Sequence, residues 1–126
     1  MMYDLRNNID AVTSAVPVVR NATVNGTGVD LGDFNAAVVI FQAGAITDGT
    51  HVPSVQESVD NSVWTNTAAA DLEGALVNIT TNSIQRIGYK GTRRFIRAVV
   101  TVTPGATGGV YGAIVLRSAG RHLPLA

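Results

Sequence analysis

Apolar and polar positions in this chain change over short runs, and clusters of Gly, Asn and Asp interrupt those runs at fairly regular intervals. Such punctuation predicts strands, and many short strands in succession predict a sandwich or barrel. The expected strands are 22–25, 36–43, 54–58, 64–67, 75–79, 84–89, 94–103 and 110–117. The run AAVVIFQA (36–43) is apolar until Gln42, which predicts a central strand covered on both faces. In the segment 93–103, RRFIRAVVTVT, a period of two puts Ile96, Ala98, Val100 and Val102 on a core face. Phe95, Arg97, Val99 and Thr101 then form a mixed outer face.

Between these runs, VQESVDNSVWTNT reads as a hairpin turning at residues 59–62, because Asp60 and Asn61 tolerate turn dihedrals and bond to nearby backbone. Trp64, the only tryptophan, follows the turn as a packing residue or a ligand platform. The one helical candidate is TAAADLEGA (67–75), with Thr67 as a possible N-cap and Gly74 as its stop. Residues 1–19 and 118–126 mix polar, basic and apolar character and predict an N-terminal arm and a C-terminal tail, either disordered or docking. A single β domain is expected between them, over 20–117.

Composition narrows the function. The 126 residues are of single-domain length and can bury a core without staples. Nine basic residues balance nine acidic ones, whereas a sequence-blind nucleic-acid coat needs a large positive excess. The absence of cysteine removes disulfides, zinc thiolates and thiol nucleophiles. No basic segment leads into a continuous apolar run at the N-terminus, and nowhere do 18 apolar residues run together, so neither secretion nor a membrane partner is expected. The sequons at Asn21, Asn25 and Asn78 are then without consequence.

No catalytic constellation stands out. The two histidines are His51 and His122, and no GxSxG elbow accompanies them. Asp48 and His51 could share a metal, but two ligands fall short of a site. Asp30 with Asp33, and Asp71 with Glu73, sit where turns and short helices usually carry acids. In NGTGVDLG the spacing of Gly26, Gly28 and Gly32 misses the dinucleotide fingerprint by one residue. TPGATGGVYG (103–112) reads as a flexible hairpin loop. The expectation is no enzyme, no cofactor and no metal.

One feature carries a binding hypothesis. In GYKGTRRFIRAVVTVT (88–103), Lys90, Arg93 and Arg94 lie at a turn with Gly88 and Gly91, and Arg97 follows on the outer face of the strand. Tyr89 and Phe95 interleave with these cations as they would in a single-strand-binding groove. Zero net charge and few aromatics favour a solvated turn or a protein partner over direct nucleic-acid binding. Arginine suits a protein interface because its planar fork bonds several carboxylates or carbonyls at once.

From about Phe34 to Pro124 the chain resembles the head decoration, or capsid cement, proteins of tailed bacteriophages. The resemblance rests on AVVIFQAGAITDGTH, PSVQESVDNSVWTNT, IQRIGYKGTRRFIRAVVTVT, PGATGGVYGAIVL and the tail RSAGRHLPLA. The hairpin departs from a common Asp-Gly turn by carrying Asp60-Asn61, and its tryptophan is also found in carbohydrate-binding sandwich modules. The resemblance implies an all-β, single-domain antiparallel β-sandwich or jelly-roll with extended terminal arms. It implies many copies on the capsid exterior of a virion, bound to the major capsid protein and to itself as a dimer or trimer. Lys90, Arg93, Arg94 and Arg97, with Arg121 of the tail, are then the expected partner-binding residues. Two alternatives remain: a tail or receptor-binding module holding glycan through Trp64, Tyr89 and Tyr111, and a head-to-tail connector component.

Overall fold

The computed structural model describes residues 4–118 and is all-β. Its strands are β1 (Ile9–Arg20), β2 (Val24–Asn25), β3 (Val29–Asp30), β4 (Ala36–Ile46), β5 (Thr50–Ser58), β6 (Thr65–Asn66), β7 (Leu72–Glu73), β8 (Ile84–Tyr89), β9 (Phe95–Thr103) and β10 (Gly109–Ser118). They form two antiparallel sheets: β1-β10-β4-β8-β7, and β2-β9-β5-β6 with β3 also on β9.

Partners are nested along the chain. β1 pairs with β10, β2 and β3 with β9, β4 with β8, and β5 with β6. A ribbon nested in this way becomes two sheets when β10 also pairs with β4, and β9 with β5. That rolled ribbon is the jelly-roll form of the sandwich, a double-sheet answer to the problem of exposed strand edges.

The core lies between the sheets and follows the strand period of two. Ile96, Ala98, Val100 and Val102 of β9 are all buried, as their alternation requires, and face Val39, Phe41, Tyr111, Ala113 and Val115. Val99 departs from the expected outer set by being buried too; it sits in the middle of its sheet between Asn25 and Ser54. β4 is central, as predicted, but only its Val39, Phe41 and Ala43 side is buried. Val38 and Ile40 are half-buried and Gln42 is exposed, because an antiparallel sheet can pack one face and leave the other open.

The expected N-terminal arm is corrected over most of its length. Residues 9–20 form a strand that runs the whole of β10, from Ile9 opposite Ser118 to Arg20 opposite Gly109. Register shifts between Thr13 and Ala15 and between Ala15 and Val18 break its alternation, which hid the strand from a periodicity reading. Pro17 is compatible with this place because β1 is an edge. At the first irregularity, buried Ser14 turns to the other sheet. Its hydroxyl donates to the Thr27 carbonyl at 2.9 Å and accepts from Ala98 N–H at 3.0 Å, and its carbonyl accepts from Thr27 N–H at 2.6 Å. The expected tail begins at the last residue of β10; residues 119–126 lie outside the described residues.

Two further expectations change. The helix at 67–75 is a single 3-10 turn, Ala69–Asp71, which leads straight into β7. Segment 75–79 is not a strand, yet Val77 has strand-like partners because the Gln85 side chain accepts from its N–H at 2.9 Å and donates to its carbonyl at 3.0 Å. The hairpin at 59–62 holds: the Asp60 carboxylate accepts from Ser62 and Val63 N–H, both at 3.0 Å, and Asn61 takes the positive φ of 60° that asparagine tolerates.

Candidate partner-binding site

The loop from β8 to β9 runs through Lys90, Gly91, Thr92, Arg93 and Arg94. With the loop 31–35 it frames an open cleft of about 840 Å³ at one end of the sandwich. Tyr89, Ala37 and Phe34 supply apolar lining, while Lys90, Arg93 and Arg94 stand at the cleft with about half or more of each side chain exposed (52%, 51% and 60%). Three of the five expected residues therefore converge.

Each of the three has an acidic neighbour. Lys90 Nζ lies 3.1 Å from Glu73 Oε1 across the loop. Arg94 donates from Nε and Nη2 to the two oxygens of Asp30, at 2.9 and 2.8 Å. This fork holds the Asp30 carboxyl below the ordinary carboxylate range and raises the guanidinium above its own. Arg93 is held least, with Nε 4.0 Å from Glu57 Oε2. The fork's neighbour was not singled out in the sequence: Arg117 donates to the Asp30 carbonyl at 2.8 Å, pairs with Asp10 and lies over the Phe34 ring at 4.4 Å. Its position at the end of the apolar run 110–116 was the available signal, since a charge there marks where a strand leaves the core.

Arg97 lies elsewhere. On the outer face of the β5-β9 sheet it donates to Gln56 Oε1 from two nitrogens, at 3.0 and 2.6 Å, and its guanidinium lies 4.5 Å from the centre of the Trp64 ring. Burial holds its pKa below the usual arginine value. Trp64 is thus half-buried with one face covered. Tyr89 and Tyr111 are buried, at 7% and 1% exposure, so the three aromatics proposed to hold glycan offer no common platform. Arg121 lies outside the described residues.

Two buried polar side chains of β5, Glu57 and His51, join the sheets. Glu57 of β5 accepts from the Tyr89 hydroxyl of β8 at 3.0 Å, and the same hydroxyl oxygen accepts from Arg93 N–H at 3.0 Å. Burial first, then the Glu57 carboxylate, push the Tyr89 pKa up to about 12. His51 of β5 meets Tyr111 of β10 through Nδ1, and its Nε2 faces the Asp48 carbonyl, both at 3.0 Å. The His51 ring meets the Asp48 carbonyl, whereas the Asp48 carboxylate accepts from the N–H groups of Ala106, Thr107 and Gly108. Asp48 and His51 are therefore not convergent ligands, and the 104–108 loop, expected to be flexible, is pinned. Asn21 holds it as well, bonding both N–H and carbonyl of Gly105.

No protein-family model matches the chain, and no curated protein matches its sequence significantly.

Proposed function

We propose that the chain is a non-enzymatic virion component, a decoration protein that binds the outside of a tailed-phage head and cements the boundaries between capsomers. The partner is the major capsid protein, reached through the end of the sandwich that carries the cleft. The observation that carries this reading is the convergence of Lys90, Arg93 and Arg94 around one open, partly apolar cleft. Exposed arginines beside apolar lining have the chemistry of a protein interface, where the fork can exchange an internal acid for one on the partner. Arg93, the least held of the three, is the residue most ready for that exchange.

Two rolled sheets joined by buried polar pairs supply the stiffness this role needs. Jelly-rolls occur in viral shells and in lectins alike, so the fold by itself does not choose between them. The glycan alternative has lost its aromatic platform to burial and to Arg97. Cementing requires little affinity from each copy, because weak contacts repeated across one lattice act together.

Titration of undecorated heads with the purified chain tests the reading. Wild-type protein should saturate the shell lattice, and the pair Lys90→Glu with Arg93→Glu should lower occupancy at least tenfold, while Arg97→Glu on the other surface leaves it near wild type. Quantitative mass spectrometry of purified virions adds the copy number. A ratio near that of the major capsid protein supports cementing; a trace ratio moves the chain to the tail or connector.

A further inference from the structure

Asn25 and Gly26 form the single Asn-Gly step in the chain. Such a step carries chemistry of its own. The glycine nitrogen can attack the side-chain amide carbon of the asparagine, because no Cβ shields it and glycine reaches the backbone angles that the ring requires. A bond forms between Gly26 N and Asn25 Cγ, the nitrogen gives its proton to base, and the side-chain nitrogen leaves as ammonia. Water then opens the five-membered succinimide at one of its two carbonyls. One product is aspartate. The other is isoaspartate, whose main chain runs through the former side chain and is one carbon longer.

The fold holds this step in an unreactive shape. Asn25 is exposed, so water reaches its amide. Gly26 is clamped. Its N–H donates to the Ala98 carbonyl at 2.8 Å, in the plane of the sheet, whereas a strand side chain stands out of that plane. The nitrogen thus faces Ala98 and its proton is engaged. The next peptide is fixed to β1: Thr27 N–H donates to the Ser14 carbonyl at 2.6 Å, and its carbonyl accepts from the Ser14 hydroxyl at 2.9 Å. The same hydroxyl accepts from Ala98 N–H at 3.0 Å. A Cβ on residue 26 would lie 2.5 Å from Ser14 Oγ, 2.6 Å from the Ala98 carbonyl oxygen and 2.8 Å from the Ser14 carbonyl oxygen. Close packing therefore demands glycine at 26, and that demand gives Asn25 its reactive neighbour.

We infer that Asn25 is a deamidation site gated by the fold, shielded while Gly26 is clamped between Ser14 and Ala98 and reactive when β2 leaves β9. β2 is two residues long and ends its sheet, which places it among the segments that open more often than the core strands. The rate in the folded chain is then the rate in the unfolded chain scaled by the fraction of time that β2 is open. Modification also leaves a lasting mark. Val24 lies opposite Val100 and Asn25 opposite Val99, and Gly26 bonds to Ala98. An extra main-chain carbon at residue 25 cannot keep Val24 and Gly26 both in register, so isoaspartate disrupts the pairing as a bulge does and with it the Ser14 clamp. Aspartate keeps the main chain intact and adds a charge at an exposed position, which the strand tolerates. The inference concerns the chain alone and does not depend on the capsid reading.

Peptide mass spectrometry tests this on the whole chain. The protein is incubated at mildly alkaline pH, folded in buffer or unfolded in guanidinium chloride, and conversion at residue 25 is followed, with chromatography separating aspartyl from isoaspartyl peptides. Conversion should be at least tenfold slower in the folded chain. Exposed Asn78, followed by the β-branched Ile79, should stay intact in both states and serves as the control. Ser14→Ala keeps the Asn-Gly step and removes the hydroxyl clamp; its folded-state rate should rise at least threefold while its unfolded rate matches wild type. After removal of denaturant, isoaspartyl chains should recover less native circular dichroism than the Asn25→Asp variant. A folded-to-unfolded difference below tenfold would overturn the gate, as would a folded Ser14→Ala variant that reacts no faster than wild type. Isoaspartyl chains that refold as fully as Asn25→Asp would overturn the lasting mark. The rate comparison and the refolding comparison do not need Ser14→Ala, so they decide the matter even where that variant fails to fold.

Discussion

His51 and Tyr111 meet between the sheets, Nδ1 to hydroxyl at 3.0 Å, with their rings edge to face at a centroid separation of 5.1 Å. The Asp48 carbonyl only accepts, so Nε2 carries the ring hydrogen and Nδ1 accepts from Tyr111. Both residues are buried, at 1% exposure each. Tyr111→Phe leaves Nδ1 without a partner and should cost about 1–3 kcal/mol. His51→Ala adds a cavity and should cost about 3 kcal/mol or more. Urea unfolding of both variants and of the double variant reads the coupling, and strict additivity would mean that the bond contributes nothing.

The second tyrosine bridge gives a pH dependence. Tyr89 holds its proton up to about pH 12 in the folded chain, against about 10 when unfolded. The folded form binds the proton more tightly, so this contribution to stability is complete below pH 10 and is lost as pH rises through 12. Tyr111 is raised in the same direction by burial. Tyrosinate absorbance should therefore develop late and together with unfolding. Reversible ionisation of these tyrosines near pH 10 in the folded protein would contradict the bridge.

Asp48 organises the loop between β9 and β10. Hydrogen bonds from Gly108 and Thr107 depress its pKa. Its contribution is accordingly present above the ordinary carboxylate range and lost as pH falls through the depressed value. Hydrogen exchange at Ala106, Thr107 and Gly108 should accelerate in Asp48→Ala, and in the wild type at acid pH, while β9 stays protected. Equal exchange in wild type and variant at neutral pH would show that the carboxylate does not hold the loop.

Arg97 should be a cover for Trp64. Arg97→Ala removes a cation over the ring, worth about 0.5–1 kcal/mol at a partly exposed site, and opens one face of the only tryptophan. The emission should shift to the red and acrylamide quenching should rise. Unchanged quenching would mean that the ring is shielded by something other than the guanidinium.

Much of the fold was legible in the sequence. Alternation in residues 95–103 fixed which side chains enter the core, and the hairpin at 59–62 followed from Asp60 and Asn61, because strand period and turn chemistry are local properties. The cationic turn at 90–94 was legible for the same reason. Tertiary structure decided what local patterns do not encode. Strand β1 was hidden because its irregularities at Ser14 and Pro17 serve the opposite sheet and the edge, and only the closing of the ribbon on β10 makes it a strand. His51 could be weighed along the chain only as half of a metal pair, and Glu57 drew no notice there, yet pairing β5 against sheet neighbours buries them opposite Tyr111 and Tyr89. Arg94 and Arg97 are three residues apart, and the fold gives one to Asp30 beside a cleft and the other to Trp64 on a sheet face. Sequence determined the elements and the sidedness of their side chains through short-range sterics and periodicity; the long-range pairing of strands chose which polar groups meet, since that depends on distances no local spacing contains.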